Sequence, residues 1–338
     1  MPSGRHKSNK TTMQDIADKL NISKVSVSKA LGGKPGIGDD LRRSILQTAL
    51  QMGYEHVPQG TVKRFAFVVS KHFFLETDAF YSEMYYRFDQ QCLEQHCSAT
   101  LIIVSGTDLK ELRLPTQLER EEFNGIAVAG EMPDDFLRLM VKPGRPMVLM
   151  DFESPAELAS ALLTDNYYWG CRVTQHLINR GHRDIGFVGQ PGSTNSISDR
   201  FFGYQRTLLH NGLTYHPEWQ LVNNDVRTGL YISNIDLPEA LPTAFVCHCD
   251  MAATYLLASL SERGLRCPDD VSVISFDNTS LAQTSLPPLT SVNIDIRAFA
   301  REAIELLCAA DRSISRIYMP ASLIERDSVR ALEKGAVS

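Results

Sequence analysis

The chain has 338 residues, 43% of them apolar and 8% aromatic, enough to bury a large core and long for one domain. Its formal net charge of −6 argues against a nucleic-acid partner until the chain is divided: residues 1–64 carry eleven Lys/Arg against five Asp/Glu, a local +6, and the remainder carries −12. There is no run of 18 apolar residues and no apolar stretch before Met13 that would make a signal peptide, while seven cysteines, an odd number, are scattered as reduced cytoplasmic thiols would be.

The first elements form a helical head. Thr11 or Thr12 suits the cap of a helix whose apolar residues Met13, Ile16, Ala17 and Leu20 fall at i, i+3, i+4 and i+7. After the short turn Asn21-Ile22-Ser23, Ser23 caps a second helix over about Lys24–Leu31, with Val27, Ala30 and Leu31 inward. Lys24, Val25, Ser28 and Lys29 share the opposite face. A third helix, about Asp39–Met52, is predicted to pack through Leu41, Ile45, Ala49 and Met52 and to stop at Gly53-Tyr54. Two short helices joined by a tight turn and braced by a third are helix-turn-helix grammar, which offers the second helix to a major groove.

From Phe65 onward, short apolar runs alternate with amphipathic segments. The runs include Phe65–Val69, Leu101–Val104, Ile126–Ala129, Met147–Met150, Ile185–Val188, Ala244–Cys247, Val271–Phe276 and Ser291–Ile294. The amphipathic segments include Tyr81–Gln95, Tyr167–Arg180, Phe202–Asn211, Met251–Arg263 and Ile296–Ala309. Such alternation predicts parallel sheets covered by helices, and the length of this region predicts two doubly wound subdomains. Ser70-Lys71-His72-Phe73-Phe74, after the first run, is no glycine-rich phosphate loop, and no P-loop or nucleophile elbow occurs. Cys247-His248-Cys249 lacks a second ligand pair at zinc spacing, so no metal is expected. Two lobes without nucleotide glycines suggest a clamshell around a small solute. Ligands in such folds lie beyond the carboxyl ends of strands, where Asp151, Asp250 and Asp277 stand; Asp250 is read as a helix cap for the segment starting at Met251.

Several strings carry a resemblance: Met13-Gln14-Asp15-Ile16-Ala17 with Ile22–Leu31 and Arg42 through Tyr54; Asp165-Asn166 with Leu177–Val188; Ser198–Tyr204; and Pro268–Asn278 continuing to Pro287–Val292. Together they resemble the lactose/galactose-repressor (LacI/GalR) family over nearly the whole chain, most weakly over residues 55–64 and 70–125. The resemblance implies a helix-turn-helix head (1–54), a short linker (55–64) and an α/β core like the periplasmic binding proteins (65–338). The core would have an N-subdomain of about 65–163 and 292–320 and a C-subdomain of about 164–291 and 321–338. It implies base contacts from Lys24, Val25 and Lys29, with Ser23 and Ser26 at phosphates. Chemically, Lys29 suits guanine O6 or N7 and Val25 a thymine methyl. Effector contacts would fall to Asp151, Arg200 and Asp277, with Phe80 or Tyr81 as an apolar wall for a sugar face.

This sequence departs from the family pattern in two places. Cys249 stands where the family usually has Asn, which changes the polar pattern the effector meets. Between Glu55 and Arg64, Val57, Pro58 and Gly60 disfavour a hinge helix, and no leucine is present to wedge the minor groove. The resemblance implies a cytoplasmic, dimeric DNA-binding regulator that binds a palindromic operator, acts by family default as a repressor and is controlled by a sugar, sugar phosphate or polyol, with no cofactor and no enzymatic activity expected. The alternative is a sugar-binding protein of the transport type, which shares the clamshell but has an export signal and no basic head.

Overall fold

The computed structural model describes residues 11–32, 34, 36–54, 62–75, 79–223, 231–232, 234–309 and 313–332. The linker expectation falls largely on 55–61, outside the described residues. The chain forms two compact units, Met1–Arg64 with Cys92–Ser98, and Phe65–Gln91 with Ala99–Ser338.

The head contains α1 (Met13–Leu20), α2 (Lys24–Leu31) and α3 (Asp39–Gln51). Thr12 caps α1 in a reciprocal box with Asp15, whose carboxyl is held below its usual range by the Thr12 hydroxyl and backbone N–H. Asn21 ends the helix in the left-handed conformation, φ 51°, which turns the chain into α2. Ile16, Ala17, Val27, Ala30, Leu31, Ile45, Leu46 and Ala49 form the core. Leu41, expected inside, is exposed, and Leu46 is buried instead. Arg42 reaches back to the Ala30 carbonyl at 3.1 Å, tying α3 to the end of α2.

The body opens with β1 (Arg64–Ser70), α4 (Lys71–Leu75), α5 (Phe80–Glu94), β2 (Ser98–Val104), α6 (Gly106–Glu111), α7 (Thr116–Arg120), β3 (Gly125–Ala129), α8 (Asp134–Met140), β4 (Met147–Met150) and β5 (Ser160–Leu163). It continues through α9 (Asn166–Asn179), β6 (Ile185–Val188), α10 (Asn195–His210), β7 (Gln220–Leu221), β8 (Ala244–Cys247), α11 (Asp250–Glu262), β9 (Ser272–Asp277), α12 (Ser280–Thr284) and β10 (Thr290–Ile294). It closes with α13 (Ile296–Cys308), β11 (Arg316–Tyr318) and β12 (Ala321–Ile324).

Two six-stranded sheets result, ordered β11-β5-β4-β3-β1-β2 and β12-β10-β9-β8-β6-β7. Neighbours β1–β3–β4–β5 and β6–β8–β9–β10 pair in parallel, and β12 alone is antiparallel among the registers described, against β10. The chain changes sheet after β5, returns after β10 when α13 packs on β3, β4 and β5, and changes again between Tyr318 and Ala321. The central strands are buried on both faces, which is why they read as continuous apolar runs. No helix among the described residues is long and apolar enough to cross a membrane.

Strands β5, β7, β11 and β12 were not anticipated: β7 and β11 span only two and three residues, and β11 and β12 are only partly buried. The helix expected from Phe202 starts at Asn195, capped by the Thr194 hydroxyl on Ile197 N–H, because its first turn is polar and shows no apolar period. α9 and α10 pack backbone to backbone: a Cβ on Gly203 would lie 2.3 Å from the Tyr167 carbonyl oxygen, and one on Gly170 would lie 2.4 Å from that of Arg200. Gly203→Ala is therefore expected to destabilise the body by about 2–3 kcal/mol, read as a lower urea midpoint, since neither backbone can retreat without breaking its helix.

Candidate functional site

On the head, Lys24, Val25, Ser28 and Lys29 lie exposed along one face of α2, and Val25 is 63% exposed, unusual for a β-branched apolar residue in so small a domain. Ser23 is occupied locally: its Oγ accepts the Ser26 N–H at 3.0 Å and lies 2.9 Å from the Ser26 hydroxyl. That pair pins the start of α2 and so fixes where Lys24 and Val25 project.

In the body, the carboxyl ends of both sheets converge on one cavity, and it brings together all six residues singled out for the effector: Phe80, Tyr81, Asp151, Arg200, Cys249 and Asp277. Asp151 follows β4 with φ 69° and Asp277 ends β9 with φ 94°, left-handed conformations that non-glycine residues adopt only where the surroundings impose them. The Tyr81 hydroxyl donates to Asp151 Oδ2 at 2.8 Å, while Asp151 Oδ1 is buried with no hydrogen-bond partner among the described residues. Burial raises the Asp151 carboxyl above its usual range against the opposing pull of Arg200, and the Tyr81 phenol is raised by burial and by the adjoining carboxylate. Tyr81 stands at 5.2 Å between ring centroids from Phe73 and at 5.1 Å, edge-on, from Phe80, so the first lobe supplies an aromatic wall ending in a carboxylate.

The second lobe supplies a fixed cation. Arg200, 4% exposed, donates from Nε to Asn166 Oδ1 at 2.8 Å and from one terminal nitrogen to the His248 carbonyl. Its other terminal nitrogen lies 3.4 Å from Asp277 Oδ1, and the guanidinium lies 4.4 Å from the Phe276 ring centroid. His248 is neutral: burial, reinforced by Arg200, lowers it to about 3, and its Nε2 accepts from Asn223 Nδ2 at 3.1 Å. Its ring is parallel to that of Tyr231, whose hydroxyl is 3.5 Å from Cys249 Sγ.

Asp250 does not have the role the sequence suggested. Cys249 is the cap of α11, its Sγ accepting the Ala252 N–H at 3.4 Å, and Asp250 is completely buried in the first turn. Its carboxylate accepts from the Ser275 and Ser291 hydroxyls at 2.6 and 2.7 Å and from the Thr279 N–H and hydroxyl at 2.7 and 3.0 Å. It thus ties β9, β10 and the loop carrying Asn278 together beneath the cavity. Among the described residues no group of three or more His, Cys, Asp or Glu could hold a metal ion.

Phe73, Thr194, Ser196, Ile197, Tyr231 and His248 also line the cavity and were not picked out from the sequence. Thr194 and Ser196 lie at the start of α10, which the polar first turn concealed. Glu131, just beyond β3, reaches Asn195 N–H at 2.8 Å; the strand-end rule that located Asp151 and Asp277 applies to it equally.

Residues 174–329 match the profile of the periplasmic binding protein-like domain. The chain is 25% identical over 336 residues to the HTH-type transcriptional repressor PurR of Photobacterium profundum, covering 95% of this chain and 99% of that one. It is 25% identical over 337 residues to PurR of Vibrio cholerae, at 96% and 99% coverage. Among solved structures, the complex of the regulator CelR with cellobiose superposes with a TM-score of 0.66 at 22% identity, over 94% of this chain and all of that one. The lac repressor dimer bound to operator and the anti-inducer ONPF gives 0.68 at 16%, over 96% of this chain and all of that one. Residues 174–329 thus match the periplasmic binding protein-like domain, and over nearly its whole length the chain is similar to HTH-type transcriptional repressors, as its resemblance to the LacI/GalR family implies.

Proposed function

We propose that this protein is a sequence-specific DNA-binding repressor that works as a homodimer on a palindromic operator and is governed by a small polyhydroxylated effector held between the two lobes of its body. Residues 1–54 bind DNA, 55–64 connect, and 65–338 bind effector and dimerise. It acts in the cytoplasm and catalyses no reaction; its relatives are named as repressors, not enzymes. The observation that carries the reading is the outward face of α2, where Lys24, Val25, Ser28 and Lys29 make no core and project together from a helix whose start is pinned by Ser23. A valine so placed is suited to a thymine methyl and a lysine to guanine O6 and N7.

The cleft explains how a small molecule would be felt. Its free space is about 70 Å³. Ligand pockets for small molecules usually measure about 300–1,000 Å³, so a monosaccharide enters only if the walls move apart or turn. Binding is thereby coupled to the relative position of the lobes, and through it to the spacing of two heads on DNA.

The test is a gel shift on the fragment upstream of the protein's own gene, with and without a panel of sugars, sugar phosphates and polyols. A specific shift is expected, moved by one compound. Lys29→Ala should weaken binding to the specific fragment about 10- to 100-fold while changing binding to unrelated DNA far less. Equal affinity for all fragments in the native protein would overturn the reading.

A further inference from the structure

Glu131 stands one residue past the exit turn of β3. In that turn Gly130 has φ 76°, and the ring of Phe73 lies so close that a Cβ there would be 2.6 Å from Phe73 Cδ2. From this position Glu131 Oε2 accepts the backbone N–H of Asn195 at 2.8 Å. β3 lies in the first sheet, and Asn195 opens α10, which packs with α9 on the second lobe, so the bond spans the cleft. The donor suits its acceptor: the first N–H groups of a 16-residue helix have no partner within the helix, and the helix dipole favours a negative charge there. Thr194 does not compete for this N–H, since its hydroxyl accepts from Ile197 and adjoins Ser196.

We propose that Glu131 is a latch that holds the two lobes together over the cleft, so that admission of a ligand requires this bond to open. Phe73 makes the latch responsive, because it lines the cavity and at the same time packs on the glycine that aims Glu131. A ligand that displaces the Phe73 ring moves the turn from which the carboxylate reaches across. Burial of the carboxyl, which raises its pKa, agrees with a group seated against protein rather than hanging in solvent. The latch depends only on the geometry of the cleft and not on what the head binds.

Its test uses the full chain with no small molecule added. Dyes are carried by non-canonical amino acids at Leu139 on α8 and Leu209 on α10, exposed positions on the two lobes, and single-molecule energy transfer reads their separation. Glu131→Ala is expected to shift the ratio of open to closed molecules about tenfold toward open, the scale of a hydrogen bond to a charged group. Asn195→Pro removes the donor from the other side. Asn195 is the first residue of α10, where proline is well tolerated, and Thr194 before it is extended at φ −143°, ψ 160°. It should give the same shift, and the double variant should go no further than either single one. Thermal midpoints near that of the native protein identify the change as lobe opening. Energy-transfer distributions in both single variants that match the native protein would overturn the latch, as would single effects that simply add in the double variant.

Discussion

Arg200→Leu is expected to destabilise the body by about 3–5 kcal/mol and to remove every effector response. The size follows from what the guanidinium leaves behind. Asp277, with a side chain only 10% exposed, would keep its charge without the cation 3.4 Å away, and the His248 carbonyl and Asn166 Oδ1 would lose their donor in a buried site. The face-on contact with Phe276 would also be lost. Arg200→Lys should recover part of the loss, because an ammonium restores charge but cannot fork to three partners in one plane. The discriminating experiment is the double variant Arg200→Leu/Asp277→Leu. If the penalty comes mainly from an uncompensated buried carboxylate, the double variant will be more stable in urea than Arg200→Leu alone. A single variant within 1 kcal/mol of the native protein would show that Arg200 contributes little to holding the second lobe together.

That pair also shows what was legible in the sequence and what was not. Parallel strands buried on both faces give apolar runs that stand out unaided, and acids at their carboxyl ends mark the cleft by topology; Asp151 and Asp277 were found in this way. Glu131 obeys the same rule but sits two residues past its strand, beyond a glycine, and nothing local tells it from a solvated surface acid. Asp250 was misread as a helix cap because capping is a local signal, whereas its actual donors come from Ser275, Thr279 and Ser291, 25 to 41 residues away. Sequence periodicity cannot see such partners. The edge strands β11 and β12 escaped for the opposite reason: they are short and half-exposed, so neither a buried run nor a clean alternation marks them. In the head, helix periodicity located the core but placed Leu41 inside, whereas Leu46 is the α3 leucine that packs there.

The second large effect concerns acid. His248 is neutral in the folded protein, lowered to about 3 by burial and by the neighbouring Arg200, whereas in the unfolded chain it titrates near its usual 6.5. Between those limits the unfolded chain binds a proton that the folded one refuses. The stability contributed by the neutral ring is therefore complete above pH 6.5 and is lost as the pH falls toward 3, to a total of roughly 4–5 kcal/mol. Other groups pull in the opposite direction: Asp151, Glu131 and Asp250 have raised carboxyls, which favour the folded state as they take up protons. A simple acid-stability curve mixes all of these, and His248→Gln separates them. Glutamine keeps an acceptor for Asn223 Nδ2 but does not ionise. At pH 7 the variant should be the less stable, having lost the ring that lies parallel to Tyr231. Below pH 6 the difference in urea stability should shrink by about 1.4 kcal/mol for each pH unit, until the variant becomes the more stable protein. A difference that stays constant from pH 7 to 4.5 would mean that the imidazole is reached by water and protonates in place. The Arg200–His248 carbonyl contact would then face a neighbouring cation at mildly acidic pH, and the second wall of the cleft would be the first part of the body to loosen.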